Sequence, residues 1–167
     1  MELIRERCCC FTGHRLLSAS DRAGLRVLLY KEIKRLIGEG VTTFLSGGAL
    51  GFDTLAAQEV LRLRAERPEP IALVLVLPCL GQENRWTERD AAVYRGLLRN
   101  ADEVIYTGDV YEPGCMFVRN RYLVDHSSIC LCCLREGSAR GGTAYTVRYA
   151  DKQGLPIVNL AEHLSRE

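Results

Sequence analysis

The sequence predicts one α/β domain, a doubly wound and mainly parallel sheet with helices on both faces. Two observations carry this. Short β-rich apolar runs alternate along the chain with segments whose apolar residues recur at helical spacing. Most of the strand-to-helix junctions are marked by glycine, hydroxyl or arginine side chains. A length of 167 residues supports one well-buried core and is short for two. No repeat, low-complexity stretch or linker divides residues 1–167, which are therefore read as a single domain.

The apolar run 8–11 is the first strand, followed by Leu25, Leu28, Leu29, Ile33, Leu36 and Ile37 on one helix face. Gly38 and Gly40 end that helix. Residues 41–45 form a second strand, and Phe52, Leu55, Ala56, Val60 and Leu63 mark the helix behind it. The unbroken run 71–77, stopped by Pro78, has the character of a fully buried central strand. A helix over 86–99, a strand over 103–106 and a helix over 116–126 follow. A strand over 129–134, a helix over 143–152 and a short strand over 156–159 complete the pattern. Strands separated by helices of this length pair in parallel.

Composition excludes several classes. With 47% hydrophobic and 26% charged residues the chain is globular rather than disordered. Lys and Arg number 22 against 21 for Asp and Glu, a net charge of +1 that creates no global field for nucleic acid. The apolar runs fall far short of the ~20 residues of a membrane span, and the first residues hold no apolar leader segment. The expectation is a cytoplasmic protein with no membrane partner. The eight cysteines contain the runs Cys8-Cys9-Cys10 and Cys130, Cys132, Cys133, each inside an apolar strand. A strand sends neighbouring side chains to opposite faces, so neither run aims all its sulfurs at one point. No metal site is therefore expected. Buried, reduced thiols in a reducing compartment are.

Ligands of open parallel sheets bind beyond the carboxyl ends of the strands, where strand order reverses. The first strand leads into Gly13, His14 and Arg15. The planar fork of an arginine there suits a phosphate or carboxylate, a surface ion pair being its other reading. The second strand leads into Ser46, Gly47, Gly48, Gly51 and Asp53, a glycine turn that opens a helix. Glycines let a phosphate approach the backbone, and the helix start offers free N–H groups. Close helix–strand packing would call for the same glycines. Asp53 suits a sugar hydroxyl, or simply a favourable charge at a helix start. Gly141, Gly142 and Thr143 repeat the device, with Thr143 as a helix cap on the structural alternative. Arg119 and Asn120 place polar groups inside an otherwise apolar helix, where they face the cleft unless that face is solvated. Arg121 and Asp125, four apart, are spaced for a surface pair.

Taken together and in order, these junctions resemble the YpsA-like family of the SLOG superfamily, alongside the DprA and lonely-guy groups. The resemblance runs from about residue 9 to residue 150 through Thr12-Gly13-His14-Arg15, Ser46-Gly47-Gly48-Ala49-Leu50-Gly51-Phe52-Asp53, Arg119-Asn120 with Asp125, and Gly141-Gly142-Thr143. It implies a Rossmann-like sheet and a nucleotide or nucleotide-derived ligand, such as an ADP-ribose or NAD-like molecule, with no established reaction. The lonely-guy phosphoribohydrolases carry a catalytic glutamate shortly after their glycine motif. Here Gly142 is followed by Thr143-Ala144-Tyr145-Thr146-Val147-Arg148, which holds no acid. DprA-like binding of single-stranded DNA would need a basic groove and stacking aromatics, and only 7% of the residues are aromatic. The reading is a sensor-like binding domain for a small nucleotide-like ligand. A phosphoribohydrolase-type enzyme and a single-stranded nucleic-acid module rank behind it, and homo-oligomerisation is left open.

Overall fold

The computed structural model describes residues 1–165. Six strands, β1 (Cys8–Gly13), β2 (Thr43–Ser46), β3 (Ala72–Leu77), β4 (Glu103–Tyr106), β5 (Ile129–Cys133) and β6 (Ile157–Asn159), form one sheet. Their order is β4-β3-β2-β1-β5-β6, and every pairing is parallel. Five helices connect them: α1 (Ala19–Gly38), α2 (Phe52–Glu66), α3 (Glu88–Asn100), α4 (Cys115–Asp125) and α5 (Gly142–Lys152).

From β1 the chain steps outward through β2 and β3 to β4. It then returns across the sheet to place β5 on the other side of β1. Crossovers between parallel strands are right-handed, so reversing the direction of travel moves the connecting helices to the other face. Leu25 and Ile33 of α1, Leu55 and Val60 of α2, and Leu97 of α3 accordingly share one core layer with Phe11 and Phe44. Leu123 and Val124 of α4 and Ala150 of α5 pack in the second layer with Leu45 and Val74. The order reverses between β1 and β5, which fixes where a ligand crevice opens.

Capping explains most of the shifted boundaries. Ser18 accepts from the Asp21 N–H at 3.0 Å and starts α1 a full turn before its apolar stripe. Thr87 accepts from the Asp90 N–H at 3.2 Å, so α3 begins at Glu88 rather than 86. Trp86 stays outside that helix and packs edge-on against Tyr94, with ring centroids 5.1 Å apart. β1 runs on through Thr12 and Gly13, which continue the ladder opposite Cys132 and Cys133. Leu73, Val74, Leu75, Val76 and Leu77 of β3 are fully buried as its composition indicated, but the strand lies second from the edge, and the central pair is β2 and β1. Its burial comes from helices on both faces and from β4 along its flank.

The cysteines follow strand alternation. Cys9 and Cys133 enter the α1/α2 layer, whereas Cys8, Cys10, Cys130 and Cys132 enter the α4/α5 layer. All eight are free and buried, and burial pushes the thiols of Cys8 and Cys133 up to about 11. No helix among the described residues is long and apolar enough to cross a membrane.

A thiol reagent such as Ellman's should therefore react slowly with the native protein and titrate eight thiols once it is denatured. Rapid release from several cysteines of the folded chain would show that the strands are not packed as described.

Candidate functional site

The site is assembled from the inside outward, and Phe52 comes first. This first residue of α2 packs its ring edge-on against Phe11 of β1, 6.4 Å between centroids. A Cβ on Gly13 would lie 2.3 Å from that ring. The end of β1 thus presses directly on the start of α2, and the Phe52 N–H donates to the His14 carbonyl at 3.1 Å. Gly51 has φ +78°, and a Cβ there would meet the His14 and Arg15 carbonyls within 2.5 Å and 2.4 Å. The first N–H of α2 is spent inside the protein.

Behind this contact lies a buried charged group. Arg119 of α4 is only 3% exposed. Its Nη1 donates to the Gly47 carbonyl at 2.6 Å and its Nε to Asn120 Oδ1 at 2.8 Å. Gly47 has no Cβ because one would sit 2.6 Å from Arg119 Nη1 and 2.9 Å from Asp53 Oδ2. Asp53 Oδ2 accepts from the Ala49 N–H at 3.4 Å, and Asp53 Oδ1 has no hydrogen-bond partner. Burial pushes the Asp53 carboxyl up to about 6, against the opposing pull of the Arg119 charge. Burial also lowers Arg119 from the usual guanidinium range, with Asp53 pulling it back.

Above this floor a cavity of about 430 Å³ opens at the strand ends, within the range of small-molecule sites. Gly13, His14 and Arg15 line it from β1, and Asp53, Arg119 and Asn120 from its floor. Gly141, Gly142 and Thr143 close it on the β5 side. Ser46, Gly47, Gly48 and Gly51 do not line it. Ser46 Oγ donates to the Asp53 carbonyl at 3.0 Å and accepts from the Gly48 N–H at 3.2 Å, so that glycine loop folds into the protein. His14 Nε2 accepts from the Arg135 N–H at 3.0 Å, which ties the β1 and β5 loops together. Burial, helped by the Arg135 charge, lowers the His14 pKa. Arg121 donates to the Tyr145 hydroxyl and Asp125 accepts from the Tyr149 hydroxyl, so these two residues do not form the expected surface pair.

Two helix starts face the cavity. Gly141, rather than Thr143, is the cap residue of α5, and no side chain caps that end. Sequence reasoning missed the second start. The loop after β4 brings Tyr111, Glu112, Gly114 and Cys115 to the wall, and α4 begins there behind Gly114, again with no side-chain cap. The turn pair Pro113-Gly114 was the available signal. Thr12, Ala49, Met116, Phe117 and Arg140 also line it beside the predicted residues.

The model of the YspA SLOG family matches residues 18–161. A UPF0398 protein of Halalkalibacterium halodurans is 35% identical over 125 residues, covering 74% of this chain and 65% of that protein. The uncharacterized SPbeta prophage-derived protein YoqJ of Bacillus subtilis is 30% identical over 124 residues, covering 67% of this chain and 71% of its own. Among solved structures, DNA processing protein A of Helicobacter pylori superposes with a TM-score of 0.64 at 18% identity, over 92% of this chain and 64% of that one. The structural-genomics target TM1055 gives 0.58 at 19% identity, over 90% and 72%. The Rossmann-like fold is thereby shared with both structures. The chain spans roughly two thirds of the Halalkalibacterium relative. The Helicobacter structure is described by its single-stranded DNA binding mode, whereas composition makes nucleic acid an unlikely partner of this chain.

The buried carboxyl makes a testable signature. With its pKa raised from 3.8 to about 6, the folded protein holds a proton on Asp53 that the unfolded chain has released. Stability conferred by that proton is present below about pH 4 and is lost as pH rises to about 6. The swing is on the order of 3 kcal/mol. Urea unfolding of Asp53→Asn across this window should be flatter than wild type by that amount. Parallel profiles would mean that Asp53 titrates as an ordinary exposed carboxylate.

Proposed function

The chain belongs to the YspA SLOG family, and from that premise we propose that its cavity binds a nucleotide or nucleotide-derived ligand of the ADP-ribose or NAD type without rapid turnover. The observation that carries the reading is the convergence of two uncapped helix starts, α4 and α5, on one cavity that also holds Arg15 and Arg140. Each helix start presents the positive end of a dipole, and arginine adds a planar fork for phosphate oxygens. The α5 start adds the N–H groups of its first turn, whereas at α4 those of Cys115 and Phe117 already donate to the Glu112 and Gly114 carbonyls. The floor offers Asp53 Oδ1 as an unused acceptor, suited to a ribose hydroxyl. A carboxylate so close to phosphate is tolerable because Arg119 lies beside it.

Slow chemistry follows from the wall behind Gly142, where α5 carries no carboxylate in its first turns. Asp53 supports a second reading. A buried carboxyl shifted to about 6 is in range for general acid–base work on an N-glycosidic bond, which would make the protein a phosphoribohydrolase-type enzyme.

Thermal shift with ADP-ribose, NAD, ATP, AMP and inorganic phosphate tests the proposal. A ligand at about 100 times its Kd adds about 2.7 kcal/mol of stability, a rise of roughly 5–10 °C for a domain of this size. Arg15→Ala and Gly142→Val should lose most of that shift. Both should fold, because a Cβ at Gly142 meets only Asn120 Nδ2 at 3.8 Å. Absence of any shift with the adenine nucleotides, or an undiminished shift in both variants, would overturn the site. Brisk release of adenine from AMP, abolished by Asp53→Asn, would select the enzyme reading. A salt-sensitive gel shift with single-stranded DNA would select nucleic acid instead.

A further inference from the structure

A second cavity, of about 620 Å³, adjoins the first and shares Arg15, Tyr111 and Met116 with it. The dividing line is thin: Arg15 Nη2 lies 4.0 Å from Met116 Sδ. The two chambers differ in chemistry. The first has helix starts, arginines and a carboxyl, whereas Leu80, Trp86, Val110 and Tyr111 wall the second. Leu80, Val110 and Tyr111 are 61%, 64% and 71% exposed, although each is apolar or aromatic. Contiguous apolar side chains held open to water at the mouth of a polar site mark a place that a ligand covers.

We propose that this second chamber is the base subsite of the same ligand and takes adenine, or another base bearing an exocyclic amine. The proposal rests on the nucleotide reading of the first cavity. Tyr111 and Trp86 offer the aromatic faces on which a planar heterocycle stacks. Trp86 is already set in place by its edge contact with Tyr94. Gln82 lines the chamber and gives the polarity of the base edge. Its Nε2 donates to the Gly47 carbonyl at 3.3 Å and lies 3.4 Å from the Tyr94 hydroxyl. That orientation leaves Oε1 as a buried acceptor with no partner. An amino group on the base would satisfy it, whereas a keto oxygen would meet an acceptor with an acceptor. Because Gln82 and Arg119 both donate to the Gly47 carbonyl, the two chambers are registered on one backbone group.

Trp86 is the single tryptophan, so its emission reports on this chamber alone. AMP, IMP and ribose 5-phosphate are titrated by calorimetry and by tryptophan fluorescence. AMP should bind and change Trp86 emission, IMP should bind more weakly, and ribose 5-phosphate should bind without a fluorescence change. Tyr111→Ala, at a 71% exposed position on the boundary of the two chambers, should weaken AMP at least about fivefold more than it weakens ribose 5-phosphate. AMP binding that leaves Trp86 emission unaltered and is indifferent to Tyr111→Ala would overturn the base subsite while the phosphate site stands. Equal affinity for AMP and IMP would overturn the role of Gln82. Failure of both AMP and ribose 5-phosphate to bind would overturn the nucleotide reading and this inference with it.

Discussion

A guanidinium with 3% of its surface exposed persists in a protein interior only if its charge and its N–H groups are answered there. Arg119 imposes that condition on this fold, and the surrounding sequence meets it. Gly47 gives up its side chain so that its carbonyl can be reached, and Asn120 turns its Oδ1 onto Nε. Asp53 supplies the opposing charge from the first turn of α2. These groups come from α4, from the β2 loop and from α2, elements packed on opposite faces of the sheet. The ion group therefore ties the two layers together at the strand ends. Removing one member would leave the others buried and unpaired, the costly way to break such a group. These contacts hold the floor of the cavity in place, so the ligand proposed above would not have to order it on binding.

The same constraint sorts the glycines into two kinds. At Gly13, Gly47 and Gly51 the space a Cβ would need is already filled, by Phe52, by Arg119 with Asp53, and by the carbonyls of His14 and Arg15. These residues allow elements of the protein to touch. At Gly114 and Gly141 a Cβ would meet nothing within 4 Å, and at Gly142 only one distant amide. Gly114 and Gly141 have φ of +85° and +98°, which glycine adopts without strain, and both leave the cavity wall open at a helix start. Glycine loops of like sequence thus face inward on one side of β1 and onto the cavity on the other.

That distinction sets the limit of what the sequence could reveal. Period and turn chemistry were sufficient for the alternating elements and the parallel sheet, because each strand and helix carries its own pattern. They were also sufficient to name Arg15, Asp53, Arg119, Asn120 and the Gly141 junction as neighbours of one cavity. The direction in which a glycine loop faces is a tertiary property: Ser46-Gly47-Gly48 has the composition of an anion cradle, yet its hydrogen bonds run inward. The β3 run looked central because burial on both faces gives the same composition in any strand covered on all sides. The β4 loop carries few of the residue types that suggest phosphate, so its part in the wall, and the start of α4 behind Gly114, depended on knowing that α4 crosses to the far face.

How a chain of net charge +1 could attract an anion follows from the same geometry. The positive charge at the cavity comes from Arg15, Arg119 and Arg140 and from backbone dipoles rather than from a charged surface, and the dipole contribution falls off within a turn of each helix. Long-range steering is weak under these conditions, so selection would occur by fit after contact. A partner that reads only phosphate spacing along a polymer gains little from such a field. The compact ligand proposed above would gain more, because one end would meet two helix starts while the other reached the apolar chamber beyond Met116. The low net charge and the half-open cavity both fit the ligand proposed above, a small molecule with a charged end and a flat apolar end.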